Sequence, residues 1–116
     1  MGKTREKEFE YELTHQDRIR ERIHTHPAPD ADWTYALQLE CLFGDKWHAV
    51  IRYDDAHGRP HIDELHPDGR KNKRWLPYKG RHQSISEARS ALMNNFERQR
   101  ERYQKELQEY EQSPGN

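Results

Sequence analysis

Two alternating runs decide the fold: Trp33-Thr34-Tyr35-Ala36-Leu37-Gln38-Leu39-Glu40-Cys41-Leu42 and Trp47-His48-Ala49-Val50-Ile51-Arg52-Tyr53-Asp54. Every second side chain in each run is apolar or aromatic, which is typical of a strand with one buried face. The short segment between them contains Gly44 and suits a hairpin turn. The alternation predicts the following faces for the second strand: Trp47, Ala49, Ile51 and Tyr53 inward, and His48, Val50 and Arg52 outward.

Further strands are expected on both sides of this hairpin. After it, 61–66 and 73–76 are short candidate strands separated by a Pro67-Asp68-Gly69 turn. Before it, 18–24 is interpreted as a strand, although Thr14-x-x-Asp17 could instead cap a short helix. Residues 1–16 are polar, and a marginal strand, a helix and a poorly ordered end are all compatible with them.

The C-terminal third predicts one long helix over about 85–112. Ser84-x-x-Glu87 has the form of a capping box. Apolar residues then recur at helical spacing: Ala88, Leu92, Phe96, Tyr103, Leu107 and Tyr110. The first half is expected to pack on the sheet, and the more charged distal half is expected to project or to bind a protein partner. The predicted fold is therefore α+β, an antiparallel meander of three to five strands covered on one face by a long C-terminal helix.

Composition limits the kind of protein this is. A chain of 116 residues with 31% hydrophobic and 35% charged residues fits a single domain, 1–116, with a thin core. Its expected core residues are Leu37, Leu39, Ile51, Leu92 and Phe96. A net charge of −1 excludes a uniformly basic nucleic-acid binder, although a local basic patch remains compatible. The lone Cys41 excludes a disulfide framework, and no apolar run is long enough to span a bilayer. A cytoplasmic protein without membrane contact is expected.

The segment 52–66 is the candidate site, because it combines three histidines, three aspartates and two arginines around a Gly-x-Pro turn. Histidine titrates near neutral pH and can exchange protons, while arginine can hold a phosphate oxygen. Antiparallel pairing across the turn would bring such groups together on neighbouring strands. The candidate catalytic residues are His48, Arg52, Asp54, His57, His61 and Asp63. The alternative is a solvated polar turn without a function of its own.

The same segment could also hold a metal ion. The pattern His57-x3-His61-x-Asp63-x2-His66 offers nitrogen and oxygen donors for zinc or manganese. Its spacing matches neither a helical zinc motif nor a zinc finger, and on a regular strand His66 faces away from His61. We therefore expect no metal and no other cofactor.

A basic stretch follows, with six Lys or Arg residues and no acid between Gly69 and Ser86. Cations that pair with phosphates and aromatic faces that stack on bases are the components of single-strand nucleic-acid sites. The candidate nucleic-acid-binding residues are Arg70, Lys71, Lys73, Arg74, Trp75, Tyr78, Lys79 and Arg81. The alternative is a solvated loop in which Trp75 belongs to the core.

The segment from Trp33 to Phe96 resembles a loosely defined family of small, uncharacterised bacterial and archaeal proteins. The resemblance rests on Arg52-Tyr53-Asp54-x-x-His57-Gly58-x-x-His61-x-Asp63, with a Gly-Asp-Lys-Trp turn before it and a Pro-Asp-Gly turn after it. The chain is also distantly similar to the TumE-like toxins of toxin–antitoxin pairs, which carry an Arg-Tyr-Asp-Asn strand end followed by histidines. Asp55 stands here in place of that Asn.

Two classes of function follow. In the first, a toxin-like, metal-independent ribonuclease uses His57 or His61 as acid and base, Arg52 to hold the phosphate, and Asp54 and Asp63 to orient the imidazoles. Lys73 and Arg74 would bind the flanking RNA. In the second, the chain is a non-catalytic nucleic-acid- or protein-binding subunit of a defence or mobile-element complex. Expected partners are RNA or another single-stranded nucleic acid, and a protein bound by the distal helix.

Overall fold

The computed structural model describes residues 5–25 and 34–112, except for the side chain of His57. Six strands and one long helix follow in order: β1 (Arg5–Thr14), β2 (Asp17–Thr25), β3 (Thr34–Phe43), β4 (Lys46–Asp54), β5 (His61–Leu65), β6 (Lys71–Trp75) and α1 (Arg81–Gln112). A 3-10 turn at Ala56–Gly58 connects β4 to β5. The strands form one antiparallel sheet in chain order, β1 to β6. The α+β class and the long C-terminal helix are confirmed, but the predicted count of three to five strands was wrong.

The additional strand is β1, which forms although most of its side chains are polar. It pairs with β2 so that glutamates face arginines, with Glu8 opposite Arg22, Glu10 opposite Arg20 and a third such pair nearer the turn. Opposite charges directly across an antiparallel pair stabilise it, so a polar strand can form without a covering layer. The helix alternative at Thr14-x-x-Asp17 was wrong, because Thr14 Oγ1 instead donates to Asp17 Oδ2 at 2.5 Å within the β1–β2 turn.

A β-bulge in β4 changes the predicted faces. Leu39 pairs with Ile51 but Glu40 pairs with Ala49, which leaves Val50 as an extra residue on β4. An extra residue reverses the direction of every side chain that precedes it on the strand. The assignments of Trp47 and Ala49 to the buried face and of Val50 to the outer face were therefore wrong. Val50 is fully buried, whereas Trp47 is 38% exposed and lies under the guanidinium of Arg18, 3.9 Å from the ring centroid.

Helix α1 begins earlier than predicted. Gly80, with φ of 87°, precedes it directly, and the amide of Ser84 donates to the carbonyl of Gly80 at 3.0 Å. Ser84 therefore lies inside the first turn and does not cap the helix, so the capping-box prediction was wrong. The 32-residue helix is about 48 Å long at 1.5 Å per residue. Its contact with the sheet continues through Tyr103 to Leu107, further than the sequence suggested.

The helix covers only one face of the sheet, and its contact is partly polar. Buried residues from the sheet and from the helix form the core between them: Ile19, Tyr35, Leu37, Leu39, Cys41, Val50, Ile51, Ile62, Ile85, Ala88, Leu92 and Tyr103. Leu37, Leu39, Ile51 and Leu92 are buried as predicted, and Phe96 packs against them half-buried. No helix among the described residues is long and apolar enough to cross a bilayer.

Three arginines of α1 fix the position of the helix on the sheet. Arg89 donates to the buried Glu21 at 2.9–3.1 Å, and Arg100 pairs with Asp17, which is fully buried. Arg102 donates to the backbone carbonyls of Val50 and Leu65 at 2.9 and 2.7 Å. Because a bulge disrupts the local ladder, the donation to Val50 satisfies a carbonyl at the irregularity.

Among residues 5–25 and 34–112, no helix lies on the opposite side of the sheet, and we call that side the open face. Register and alternation place two rows of side chains there. The first row is Glu10, Arg20, Gln38, Arg52, Asp63 and Lys73, and the second is Glu8, Arg22, Ala36, Asp54, His61 and Trp75. A surface without an apolar cover must be polar, so chemistry-bearing side chains are concentrated here.

Truncating the core beneath the helix tests the assignment of faces. Leu92 is 2% exposed, so Leu92→Ala should lower the free energy of unfolding by about 2–5 kcal/mol. Its neighbour Met93 is 39% exposed and provides the control, because Met93→Ala removes little buried area. Urea denaturation of both variants measures the difference. Equal losses in the two would contradict the assigned helix face.

The pH dependence of stability tests the contact between the distal helix and β5. Burial alone would raise the pKa of Glu106, but hydrogen bonds from His66 and Arg102 outweigh it and hold the pKa below its usual range. A lowered pKa in the folded state stabilises the protein above the unfolded pKa of about 4.3, and this contribution is lost as pH falls through the folded value. Glu106→Gln should therefore destabilise at pH 7 more than at pH 3. Glu109→Gln, on the exposed side of the helix, should show no such dependence.

Candidate functional site

Asp54, His61 and Asp63 form a cluster on the open face. The β4–β5 register sets Asp54 opposite His61, and Asp63 follows two residues later on the same side of β5. His61 Nε2 lies 3.3 Å from Asp54 Oδ1 and 3.3 Å from Asp63 Oδ2. One imidazole nitrogen therefore faces two carboxylates from two strands.

The cluster is buried although the helix lies on the other side of the sheet. His61 is 2% exposed and Asp63 4%. Trp75 on the neighbouring edge strand packs against His61, with the two rings in a T-shaped arrangement at a centroid distance of 5.3 Å. The Arg59 guanidinium lies 4.7 Å and the Lys73 ammonium 5.1 Å from the centroid of the Trp75 ring. Two cations and an indole thus form the outer layer of the site.

Hydrogen bonds fix the orientation of all three side chains. His61 Nδ1 lies 3.0 Å from the carbonyl oxygen of Arg59 and must donate to it, because a carbonyl only accepts. The neutral imidazole would then point an Nε2 lone pair at both carboxylates. Asp54 Oδ1 also accepts the amide of Ala56 at 2.7 Å, whereas the buried Oδ1 of Asp63 has no hydrogen-bond partner. An Nε2 lone pair that faces two carboxylates favours a proton or a metal ion between these atoms.

A cleft of about 390 Å³ lies beside the cluster on the open face. Its lining includes Asp54, Arg52, Arg20 and Arg22. Arg52 donates twice to Gln38 Oε1, at 2.9 and 2.7 Å. Our sequence interpretation did not include Arg20 and Arg22 in the site. The signal was present, because residues that alternate with Ile19 and Ile23 on one strand must occupy its other face.

The remaining predicted catalytic residues lie elsewhere or outside the described structure. His48 lies on the helix side, where its ring contacts Tyr103 and Phe43 at centroid distances of 5.6 and 5.5 Å. Its predicted place beside Arg52 was wrong, because the bulge at Val50 reverses its direction. The side chain of His57 falls outside the described residues.

The donor set considered for a metal also changes. His66 faces away from His61, as expected, and contacts Glu106 of the helix. Asp54, which the sequence pattern did not include among the donors, takes its place. Its ligand atom lies within 4.8 Å of those of His61 and Asp63. The expected separation of His66 from His61 is therefore confirmed. His61 and Asp63, in contrast, lie close enough together to share an ion.

The candidate nucleic-acid-binding residues divide between different surfaces. Lys71, Lys73 and Trp75 belong to β6, so this part of the segment is an edge strand and not a loop. Alternation puts them on the open face and puts Arg74 on the helix side. Outside the strand, Arg70 pairs with Asp68, Lys79 lies near Glu87, Tyr78 is 73% exposed, and Arg81 begins α1. At 46% exposed, Trp75 is not a core residue.

Asp55 has a structural contact of its own. Its Oδ1 accepts the backbone amide of Tyr35 at 2.8 Å, and the residue is 6% exposed. Burial raises the pKa of this carboxyl above its usual range, although the hydrogen bond from Tyr35 opposes the shift. Asp55 therefore ties the end of β4 to the start of β3 and does not join the cluster.

Replacing His61 tests whether the cluster holds the hairpin together. From the sequence, functional histidines at a surface turn are expected to contribute little packing, so replacing both His57 and His61 by Gln should leave the stability nearly unchanged. With His61 buried, His61→Gln leaves the two carboxylates without the imidazole between them and should cost about 3–5 kcal/mol, measured in EDTA so that no metal ion contributes. His15→Gln is the control, because His15 is fully exposed. Denaturant unfolding that places both variants at the wild-type stability would show that the carboxylates are not coupled to His61.

Comparisons with known proteins assign the chain to a family. A search among curated proteins and a search among solved structures each found no significant match. One family model, described as a domain of unknown function (DUF7718), matches residues 4–109. This span includes all six strands, the cluster and most of α1. The resemblance to TumE-like toxins stays a prediction. Because the family model covers most of the chain, the chain belongs to the DUF7718 family.

Proposed function

We propose that this protein binds single-stranded RNA on the open face, along β5 and β6. The observation that carries the proposal is Trp75, which is 46% exposed and is flanked by Arg59 and Lys73. Base stacking on an aromatic side chain, combined with cations for the phosphates, is the usual means of binding single strands without strict sequence preference.

Neighbouring groups extend this surface. Arg52 lies two strands from Lys73 in the same cross-strand row, and Arg20 lies further along that row. Trp47 supplies a second exposed indole on the open face, already stacked with Arg18. Strand β6 is the last strand in the order of the described sheet, and its open-face residues Lys73 and Trp75 are exposed. These features support a binding surface that is centred on β5 and β6 and extends across the open face towards β2.

Adjacent residues of β6 provide a matched test, because they point to opposite sides of the sheet. Lys73→Glu should weaken binding of a labelled oligouridine and reduce the salt dependence of the affinity, since one phosphate contact is lost. Arg74→Glu makes the same charge change on the helix side and should have a much smaller effect. Fluorescence anisotropy at several salt concentrations measures both. Equal weakening by the two variants would indicate only a nonspecific charge effect.

Trp75→Ala tests the stacking contribution separately. It should weaken RNA binding by about 1–3 kcal/mol. Its effect on unfolding should stay well below the about 3–5 kcal/mol of a fully buried tryptophan, because nearly half of the side chain is exposed. Unchanged affinity together with a large loss of stability would identify Trp75 as a packing residue only. No binding by the wild-type protein at low salt would refute the proposal.

A second candidate function, RNA cleavage of the toxin-like kind, is favoured by the position of His61 directly beneath this surface. Asp54 and Asp63 flank the imidazole and can stabilise its charged form during proton transfer. At 2% exposed, however, His61 reaches a ribose hydroxyl only if the Trp75 side chain moves aside. Electrophoresis of end-labelled RNA after incubation separates the alternatives. Cleavage that is lost in a His61→Gln variant shown by circular dichroism to be folded supports catalysis, whereas binding without cleavage supports a non-catalytic subunit of a larger complex.

A further inference from the structure

We propose that Asp54, His61 and Asp63 form a binding site for one divalent transition-metal ion. The site is distinct from the proposed RNA contacts, which lie outside it on Trp75, Lys73 and Arg59. One imidazole nitrogen and two carboxylates form a mixed donor set that suits Zn²⁺ and Mn²⁺. This inference reverses the expectation of no metal, and it does so because Asp54 joins the donors.

The distances between the donor atoms suit a shared ion. The Nε2–Oδ separations to Asp54 and Asp63 are both 3.3 Å. A charge-assisted hydrogen bond between these groups is shorter, about 2.7–2.9 Å. Ligand atoms around a tetrahedral ion with bonds of about 2.0–2.2 Å are about 3.3–3.6 Å apart. The two Nε2–Oδ separations therefore fit a shared ion better than they fit two direct hydrogen bonds, and all three donor atoms lie within 4.8 Å of one another.

The orientation of the donors is also that of metal ligands. Histidines that bind metals usually donate their other ring N–H to a carbonyl or a carboxylate, which directs the free nitrogen at the ion. His61 does this through Nδ1 to the carbonyl of Arg59 at 3.0 Å. Asp54 is likewise held by the amide of Ala56 at 2.7 Å. Both supporting groups belong to the β4–β5 connection, so the turn itself orients the donors.

The balance of charge in the cluster also favours a bound cation. Asp63 is 4% exposed, and its Oδ1 is a buried atom without a hydrogen-bond partner. Its cross-strand neighbours point elsewhere, Arg52 to Gln38 and Lys73 to the ring of Trp75. With both carboxyls ionised, a protonated imidazole would leave one net negative charge on the three groups, whereas a divalent ion bound to the neutral imidazole would leave none. Two oxygens of Asp63 are then available to the ion.

Asp54 also lines the cleft, so the ion is not sealed away. Its side chain is 13% exposed, and the cleft beside it is also lined by Arg52, Arg20 and Arg22. Coordination positions not taken by the three residues would open in this direction. Water or an oxygen of an anionic ligand can fill them.

Titration calorimetry on chelator-treated protein tests the site, with Mn²⁺ alone and Zn²⁺ alone as probes. We expect one equivalent of at least one of these ions to bind. Asp63→Asn and Asp54→Asn should each weaken binding at least tenfold. His66→Gln is the control, because His66 also lies between carboxylates, Glu106 and Glu64, but faces the helix side. It should retain wild-type affinity. Circular dichroism of each variant verifies folding, and a variant that unfolds is replaced by Asp54→Ser or Asp63→Ser.

Histidine NMR on the wild-type protein provides a second measurement without any substitution. A diamagnetic Zn²⁺ ion should shift the His61 ring signals and leave those of His66 unchanged. Failure of both ions to bind stoichiometrically would overturn the proposal. So would binding that survives Asp54→Asn and Asp63→Asn, because the ion would then be held elsewhere. RNA binding does not enter these measurements, so their outcome is independent of the proposed function.

Discussion

A single helix can cover only one side of a six-stranded sheet, and the rest of this structure depends on that limit. Apolar residues are too few to build a second layer. The helix side takes nearly all of them, and the other side is stabilised by pairs of charged side chains across neighbouring strands. An open, polar sheet face is therefore a direct consequence of composition. It is also the face on which the buried cluster and the exposed indoles occur.

The helix side shows how a thin core is supplemented by polar contacts. Arg89, Arg100 and Arg102 each connect α1 to a buried carboxylate or a backbone carbonyl of the sheet. Buried ion pairs add little net stability, but breaking one leaves an uncompensated charge, which disfavours any shifted position of the helix. These contacts account for helix contact as far as Leu107, in a region where the sequence has few apolar residues.

Much of the fold followed from alternation and helical spacing, and the errors have specific physical causes. The β3–β4 hairpin, β5 and α1 were predicted because each carries a clear apolar period. Strand β1 was uncertain because its stability comes from glutamates opposite arginines on β2, a long-range pairing that no local pattern reveals. The bulge at Val50 was not predictable either, because the pattern of apolar and polar residues along β4 does not mark where an extra residue lies. The bulge nevertheless moves the side chains of His48 and Trp47 to the faces opposite those predicted. For the site, period two correctly put His61 and Asp63 together. The same period excluded His66, whereas the contact between Trp75 and His61 needed the tertiary arrangement.

The central claim is that the open face is the functional surface of this protein. The most direct test is an NMR titration of ¹⁵N-labelled protein with oligouridine, following backbone amides and tryptophan indoles. The account predicts that the Trp75 indole and the amides of β5 and β6 shift, while the amides of α1 over 85–107 stay unchanged. Shifts confined to α1, or no shifts at low salt, would contradict it.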